Sequence, residues 1–110
     1  MSTGYNKRAA RVDGNHSDIK RDFELLGCSV ADTSGAGDGF PDLVVGFVTS
    51  HFPFKVNVLV EVKDGSKPPS ERKLTPKQKI FHDNWIGPIE IVKDQEDVIR
   101  VVRKYRNGNE

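Results

Sequence analysis

The sequence lacks the features that are typical of extracellular and membrane proteins. Among its 110 residues Cys28 is the single cysteine, so the chain cannot form an internal disulfide. No apolar run approaches the roughly 20 residues that span a bilayer, and no apolar segment follows the basic stretch 1–14, as a secretory signal would require. We therefore expect a soluble, cytoplasmic protein with no membrane partner.

The chain also lacks an excess of charge of either sign, since its net charge is +1. The charges are nevertheless segregated along it. Residues 63–79 carry six basic and two acidic side chains, and residues 1–11 and 100–106 carry basic ones without acids. The stretch from Asp13 to Glu61 carries eight acidic side chains and three basic ones. An acidic centre with basic flanks suits a metal site that meets a polyanion. Ordinary solvated faces are the alternative.

Length and periodicity predict one α/β (mixed α+β) domain over residues 13–106, after a flexible basic segment 1–12 and before a tail 107–110. Apolar residues at helical spacing predict a helix over 15–26. Strands are predicted at 28–32, 41–48, 56–63 and 89–93, with further helices beginning near 75 and 94. The predicted order is α-β-β-β-α-β-α around a mixed sheet.

The last two helices have clear starts. Thr75 is the expected N-cap of one, Pro76 its first helical residue, and Gln78 its third, which closes a capping box with Thr75. Asp94 caps the other, whose apolar side is available to the core or to a dimer interface. That side consists of Val98, Val101, Val102 and Tyr105.

Charged residues interrupt two hydrophobic strands in the middle of the chain. In "VNVLVEVK" the valines alternate with Glu61 and Lys63, so these two side chains leave the same face. Asp42 begins the preceding strand and would approach Glu61 if the two strands pair. Two carboxylates can bind Mg²⁺, and a nearby lysine can orient water or neutralise charge on a phosphate. A simple cross-strand ion pair is the alternative.

These motifs resemble a known family. "FPD" in a glycine-rich context, a hydrophobic strand, "EVK" and the downstream "LTPKQKIFHDNW" are similar to the VRR-NUC branch of the PD-(D/E)XK nuclease superfamily. The resemblance implies a restriction-endonuclease-like core and a Mg²⁺- or Mn²⁺-dependent endodeoxyribonuclease. It also implies a homodimer that is selective for branched DNA such as Holliday junctions. Similar small proteins are encoded in phage genomes, which implies the cytoplasm of a bacterium or infected cell.

The resemblance assigns roles residue by residue. Asp42 and Glu61 would bind the metal together with the backbone carbonyl of Val62, and Lys63 would be the catalytic lysine. Gln78 matches the motif glutamine, although closing the capping box is an equally good role for it. Asp18 would supply the acid of the first helix, with a favourable interaction with the helix dipole as its alternative.

Other residues complete the set of expectations. The phosphate contacts expected in the DNA-binding surface are Lys67, Arg72, Lys73 and Lys77. We expect Trp85 in the core, with base stacking as the alternative. We expect His16 at the surface, with a position facing the metal cleft as the alternative. "GAGDG" is not followed by the Lys-Ser/Thr of a phosphate loop, which argues against a nucleotide cofactor.

Three other functions stay open at this point. The chain could be an inactive nuclease-fold module that binds DNA or protein. It could cut flapped, nicked or linear DNA instead of junctions. It could also be an unrelated small interaction protein whose charges form surface pairs.

Overall fold

The computed structural model of the protein describes residues 13–52 and 54–108. Within them the chain forms α1 (His16–Leu25), β1 (Ser29–Asp32), β2 (Leu43–Val48), β3 (Lys55–Val62), a 3-10 turn (Pro69–Glu71), α2 (Pro76–Asn84), β4 (Ile89–Val92) and α3 (Gln95–Asn107). The element order predicted from the sequence is confirmed. The predicted N-terminal segment 1–12 lies outside the described residues, and so do residues 109–110. Helix α3 extends to Asn107, the first residue of the predicted tail.

The four strands form one mixed sheet in the order β1-β2-β3-β4. The pairs β1–β2 and β2–β3 are antiparallel, whereas β3 and β4 run parallel. A parallel pair needs a crossover connection, and the segment that contains α2 provides it. The result is a compact α+β fold whose central strands are β2 and β3, the two strands that carry the charged motif.

The hydrophobic core lies between one face of this sheet and helices α1 and α3. The alternating valines of β3 point into it as predicted, with Val58, Val60 and Val62 fully buried. Helix α1 adds Ile19 and Phe23. Because β3 is central, the second half of its other face is covered too, and Leu59 and Glu61 are buried there.

The apolar side of α3 belongs to this core. Val98, Val101 and Val102 are buried against the sheet, so this side of the helix is unavailable as the dimer interface that the sequence left open. Asp94 caps the helix as predicted, with its side chain accepting a hydrogen bond from the Asp97 N–H at 2.9 Å. None of the helices in the described part of the chain is long and apolar enough to cross a membrane.

Two expectations about single residues are wrong. Trp85 is not in the core, because α2 buries none of its residues and Trp85 follows its last turn; its exposed fraction is 44%. His16 is buried instead of solvated, because its Nε2 lies 3.1 Å from a carboxylate oxygen of Asp32 and so ties α1 to the edge strand β1.

Candidate active site

The β2–β3 hairpin brings Asp42 and Glu61 to the same end of the sheet. Leu43 pairs with Val60 in the antiparallel register, so the residues next to this pair, Asp42 and Glu61, lie on the same face. Asp42 Oδ2 accepts a hydrogen bond from the Val62 N–H at 2.9 Å. A residue's N–H and C=O face the same neighbour in a ladder, so the Val62 carbonyl is also directed to the side of Asp42.

The backbone around Asp42 is fixed from the β1 side. Thr33 donates its N–H to the Asp42 carbonyl at 2.8 Å and its hydroxyl to the Pro41 carbonyl at 2.7 Å. Pro41 itself is fully buried. The "PD" dipeptide is therefore held by β1 while the Asp42 side chain turns towards β3.

Glu61 is the most deeply buried charged group of the cluster, with an exposed fraction of 2%. Its Oε2 accepts a hydrogen bond from Gln78 Nε2 at 2.9 Å and lies 3.9 Å from the ammonium of Lys63. Its Oε1 is buried without a hydrogen-bond partner. An unsatisfied buried acceptor costs about 1–3 kcal/mol, so this oxygen is well suited to take up a proton or a cation.

The electrostatics lead to the same conclusion. The pKa of Glu61 is raised to about 9. Burial is the largest cause, followed by the negative charge of Asp42 and a hydrogen bond between the two side chains, while the positive charge of Lys63 opposes the rise. Two adjacent carboxylates cannot both be ionised at low cost unless something positive is added. At neutral pH the pair therefore holds a proton, which a divalent cation could replace.

Gln78 forms both sets of hydrogen bonds that the sequence had offered as alternatives. Its Oε1 accepts from the Thr75 N–H at 2.8 Å and from Lys63 Nζ at 2.8 Å, while its backbone N–H donates to Thr75 Oγ1 at 3.2 Å. The capping box is thus complete. One amide starts the helix and orients both Lys63 and Glu61, because its oxygen has two lone pairs and its nitrogen two protons.

The glycine-rich loop holds the start of α2 against the strands. Gly39 has φ +80°, and a Cβ there would lie 2.6 Å from the Lys77 carbonyl carbon and 2.9 Å from the Gln78 nitrogen. Only glycine allows this close approach. Next to it the rings of Phe40 and Phe81 meet edge to face at 5.2 Å. The loop thereby fixes the distance between Gln78 and the strand ends.

The structure does not bring Asp18 to this cluster. Its side chain is 63% exposed and accepts a hydrogen bond from Arg21 at 2.7 Å. Asp13, which the sequence analysis did not assign to the site, is the acid near it: burial raises its pKa, and the charges of Lys63 and Asp42 act on it. The carboxylate that approaches the site from the side of α1 is therefore that of Asp13, which precedes the helix.

Asn15 explains why the start of α1 faces the site. It occupies the N-cap position but its side chain makes no capping bond. Instead its amide donates to the carbonyls of Lys63 at 3.0 Å and Lys93 at 2.9 Å, the residues that follow β3 and β4. This contact crosses 48 and 78 residues of sequence, so no local pattern could reveal it.

A second residue that the sequence did not assign to the site is His82. It lies one turn after Gln78 on α2, and its Nε2 is buried without a hydrogen-bond partner. Burial, together with the positive charge of Lys63, lowers its pKa. Both effects favour the neutral imidazole, and the second places His82 within electrostatic reach of the Lys63 amine.

The residues expected to contact phosphates differ in exposure. Lys67, Lys73 and Lys77 are exposed, and Lys77 lies 3.6 Å from Asp38 in an exposed pair. Arg72 is half-buried, and its Nε is buried without a partner. All four lie on the segment between β3 and the first turn of α2.

The cluster offers few ligands to a metal. Among the residues that the structure describes, no group of three or more histidine, cysteine or acidic side chains could hold one. The fit therefore depends on Asp42, Glu61 and the Val62 carbonyl. Mg²⁺ keeps several waters and binds proteins through one or two carboxylates, so two carboxylates with one unsatisfied buried oxygen are compatible with it.

Comparisons with protein families, with curated proteins and with solved structures found no match to this chain.

Proposed function

We propose that this chain is a metal-dependent endodeoxyribonuclease with a restriction-endonuclease-like core of the VRR-NUC type. The observation that carries the proposal is the hydrogen-bonded cluster of Glu61, Lys63 and Gln78 beside Asp42. An ordinary surface ion pair would be exposed and would need no amide bridge. Here the carboxylate is buried at 2% exposure, and the energetic cost of that burial suggests a functional reason.

The residues divide the chemistry between them. Asp42, Glu61 and the Val62 carbonyl would hold Mg²⁺ or Mn²⁺, which when bound supplies Lewis-acid polarisation of the phosphate and a more acidic water. Lys63 would orient an attacking water or neutralise charge on a phosphate oxygen. Gln78 fixes the direction of the Lys63 amine. Asp13 adds negative charge on the α1 side and is the proposed replacement for Asp18.

The substrate is DNA, with branched structures such as Holliday junctions as the expected preference, in the cytoplasm of a bacterium or infected cell. Symmetric cleavage of a junction needs two sites, so we propose a homodimer. The apolar side of α3 is buried and cannot serve as its interface. Sedimentation velocity at micromolar concentration should give twice the monomer mass.

The test measures cleavage of labelled four-way junction, flap, duplex and single-stranded DNA with and without Mg²⁺ or Mn²⁺. We expect metal-dependent cleavage that Glu61→Gln and Lys63→Met abolish and Asp13→Asn reduces. Asp18→Asn is the matched control and should cleave at the rate of the natural protein. Cleavage that survives both Glu61→Gln and Lys63→Met would refute the site. Binding without cleavage of any substrate would instead identify an inactive nuclease-fold module.

A further inference from the structure

A row of three aromatic rings leads away from the candidate site. Phe40 lies two residues before Asp42, and its ring centroid is 5.2 Å from that of Phe81. Phe81 in turn stacks on Trp85 at 5.2 Å with an interplanar angle of 16°. The two inner rings are half-buried, whereas Trp85 is 44% exposed and the adjacent Ile86 is fully exposed. The row thus ends in an indole that solvent can reach.

The row shares a face of α2 with the site. Gln78, Phe81 and Trp85 are spaced i, i+3 and i+7, which places them on one side of a helix. Gln78 touches Lys63 and Glu61. At a rise of about 1.5 Å per residue, Trp85 lies about 10 Å further along the helix. A strand bound at the site and running along α2 would therefore reach the indole.

Charge favours a nucleic acid as the occupant of this face. Residues 67–79 carry five basic side chains and one acidic one, and Lys73, Lys77 and Lys79 are exposed. The cleft on the other side of the site, between the starts of α1 and α3, is lined by four acidic side chains (Asp18, Asp22, Asp64 and Asp94) and two basic ones (Arg21 and Lys93), so its net charge is negative. A polyanion would be repelled there and attracted along α2.

We infer that Trp85 is a stacking platform for an unpaired base of the substrate strand, so the substrate has single-stranded character next to the scissile phosphate. Proteins that bind single strands combine a basic track with exposed aromatic side chains on which bases stack. In continuous duplex the bases stack on one another and cannot lie on the indole. The inference rests on the proposed nuclease function, because it names the class of DNA that this site would accept.

Trp85 is the only tryptophan of the chain, so its emission reports directly on stacking. The experiment titrates the full chain, in EDTA so that no cleavage occurs, with oligothymidylate, with an abasic strand of equal length, and with blunt duplex. We expect quenching by oligothymidylate and little by the other two, although all are polyanions. Equal quenching by the abasic strand would overturn the inference.

Variants give the second measurement, by anisotropy of labelled oligothymidylate. Trp85→Ala should weaken binding roughly 5- to 150-fold, and Trp85→Phe should restore most of the affinity. Phe52→Ala is the matched control, since Phe52 is an exposed aromatic at the opposite end of the β2–β3 hairpin, and it should bind like the natural protein. Circular dichroism melts confirm that each variant folds.

The outcomes also separate this inference from the nuclease proposal. Quenching by oligothymidylate without metal-dependent cleavage would support the platform while the nuclease proposal fails. Cleavage with unchanged affinity in Trp85→Ala would keep the nuclease and overturn the platform. If Trp85→Ala and Ile86→Ser convert a dimer to a monomer without changing DNA affinity, the face is a protein interface and the inference is wrong.

Discussion

At the scale of single residues, Glu61 is the group whose environment says most about function. Its side chain is only 2% exposed and lies beside a second carboxyl, and both conditions destabilise the ionised form of Glu61. Lys63 is close enough to offset part of this cost, at 3.9 Å, but it is shared with Gln78. A bound proton or a bound cation at Glu61 would therefore stabilise the folded protein.

This residue makes stability depend on pH. The pKa of Glu61 is about 9 in the folded protein against its usual 4.5. Between these values the folded state keeps a proton that the unfolded chain releases, so the free energy of unfolding falls as pH rises, by at most about 1.4 kcal/mol per pH unit. We expect urea unfolding in EDTA to show a less stable protein at pH 8 than at pH 6.

Glu61→Gln is the control for that measurement, because it removes the Glu61 carboxyl and leaves every other ionisable group in place. Its stability should change much less over the same range. Mg²⁺ should stabilise the natural protein more at pH 8 than at pH 6, since the cation replaces a proton. Identical pH dependence in the natural protein and in Glu61→Gln would contradict the assignment.

The cluster could be predicted only in part from the sequence. Strand alternation places Glu61 and Lys63 on one face, and the register of a single hairpin adds Asp42, so these three follow from local rules. The end of α1 that faces these three residues does not follow from local rules. The orientation of α1 depends on the Asn15 amide, which donates to carbonyls after two different strands, and the sequence-based assignment of Asp18 had no access to this contact.

At the scale of elements, α2 is unusual because it attaches to the sheet through polar contacts and half-buried rings. It buries none of its residues. Its start is nevertheless well defined by the Thr75–Gln78 capping box, which is why the sequence predicted its position correctly. The exposure of Trp85 could not be predicted in the same way, since an aromatic residue near a helix end is usually covered by tertiary contacts that here do not form.

Variants of the two capping-box residues distinguish an effect on helix stability from an effect on the proposed catalysis. Thr75→Ala removes the hydroxyl that accepts from the Gln78 N–H and should lower the free energy of unfolding by about 1 kcal/mol. Most of the cleavage should remain. Gln78→Ala also frees Lys63 and Glu61, so we expect a similar loss of stability but a decrease of about 100-fold in kcat. Equal kinetic losses in the two variants would mean that Gln78 acts only as a helix cap.

The glycine-rich loop gives a second prediction at this scale. Gly37 and Gly39 both have positive φ, at +77° and +80°, but only Gly39 is close to another backbone. Gly37→Ala should cost about 1–2 kcal/mol of left-handed strain. Gly39→Ala should cost a further 1–3 kcal/mol or so, because its Cβ would collide with the backbone at Lys77.

Cleavage measurements extend this comparison to the site. Displacement of the first turn of α2 moves Gln78, so Gly39→Ala should also cleave more slowly than Gly37→Ala. Thermal melts and cleavage assays on the two variants test both statements. Similar melts would show that the loop adjusts without strain and that it does not set the position of α2.

At the scale of the whole molecule, basic and acidic side chains lie on different surfaces, and under the proposed function this arrangement favours the approach of DNA along α2. Exposed lysines lie between β3 and α2. In the cleft between α1 and α3 four acids (Asp18, Asp22, Asp64 and Asp94) outnumber two basic side chains (Arg21 and Lys93). A net charge of +1 hides this asymmetry. The segregation visible along the sequence predicted that basic and acidic surfaces exist, but their placement on opposite sides of Glu61 needed the fold.

Salt dependence measures this arrangement. Each phosphate contact that a lysine makes contributes about 0.9 to the slope of log K against log[salt] for duplex DNA and about 0.7 for single strands. Changing Lys73 and Lys77 together to Gln should therefore lower the slope by about 1.4–1.8, in EDTA and with little effect on stability. Lys77 can be changed safely because its pair with Asp38 is exposed.

The matched control changes Lys20 and Lys55, which lie on α1 and at the start of β3, outside the 67–79 segment. This variant loses the same formal charge, so any effect of net charge alone is equal in the two. Its slope should stay at the value of the natural protein. If both double variants reduce the slope equally, DNA is attracted by the overall charge of the molecule, and the approach along α2 is wrong.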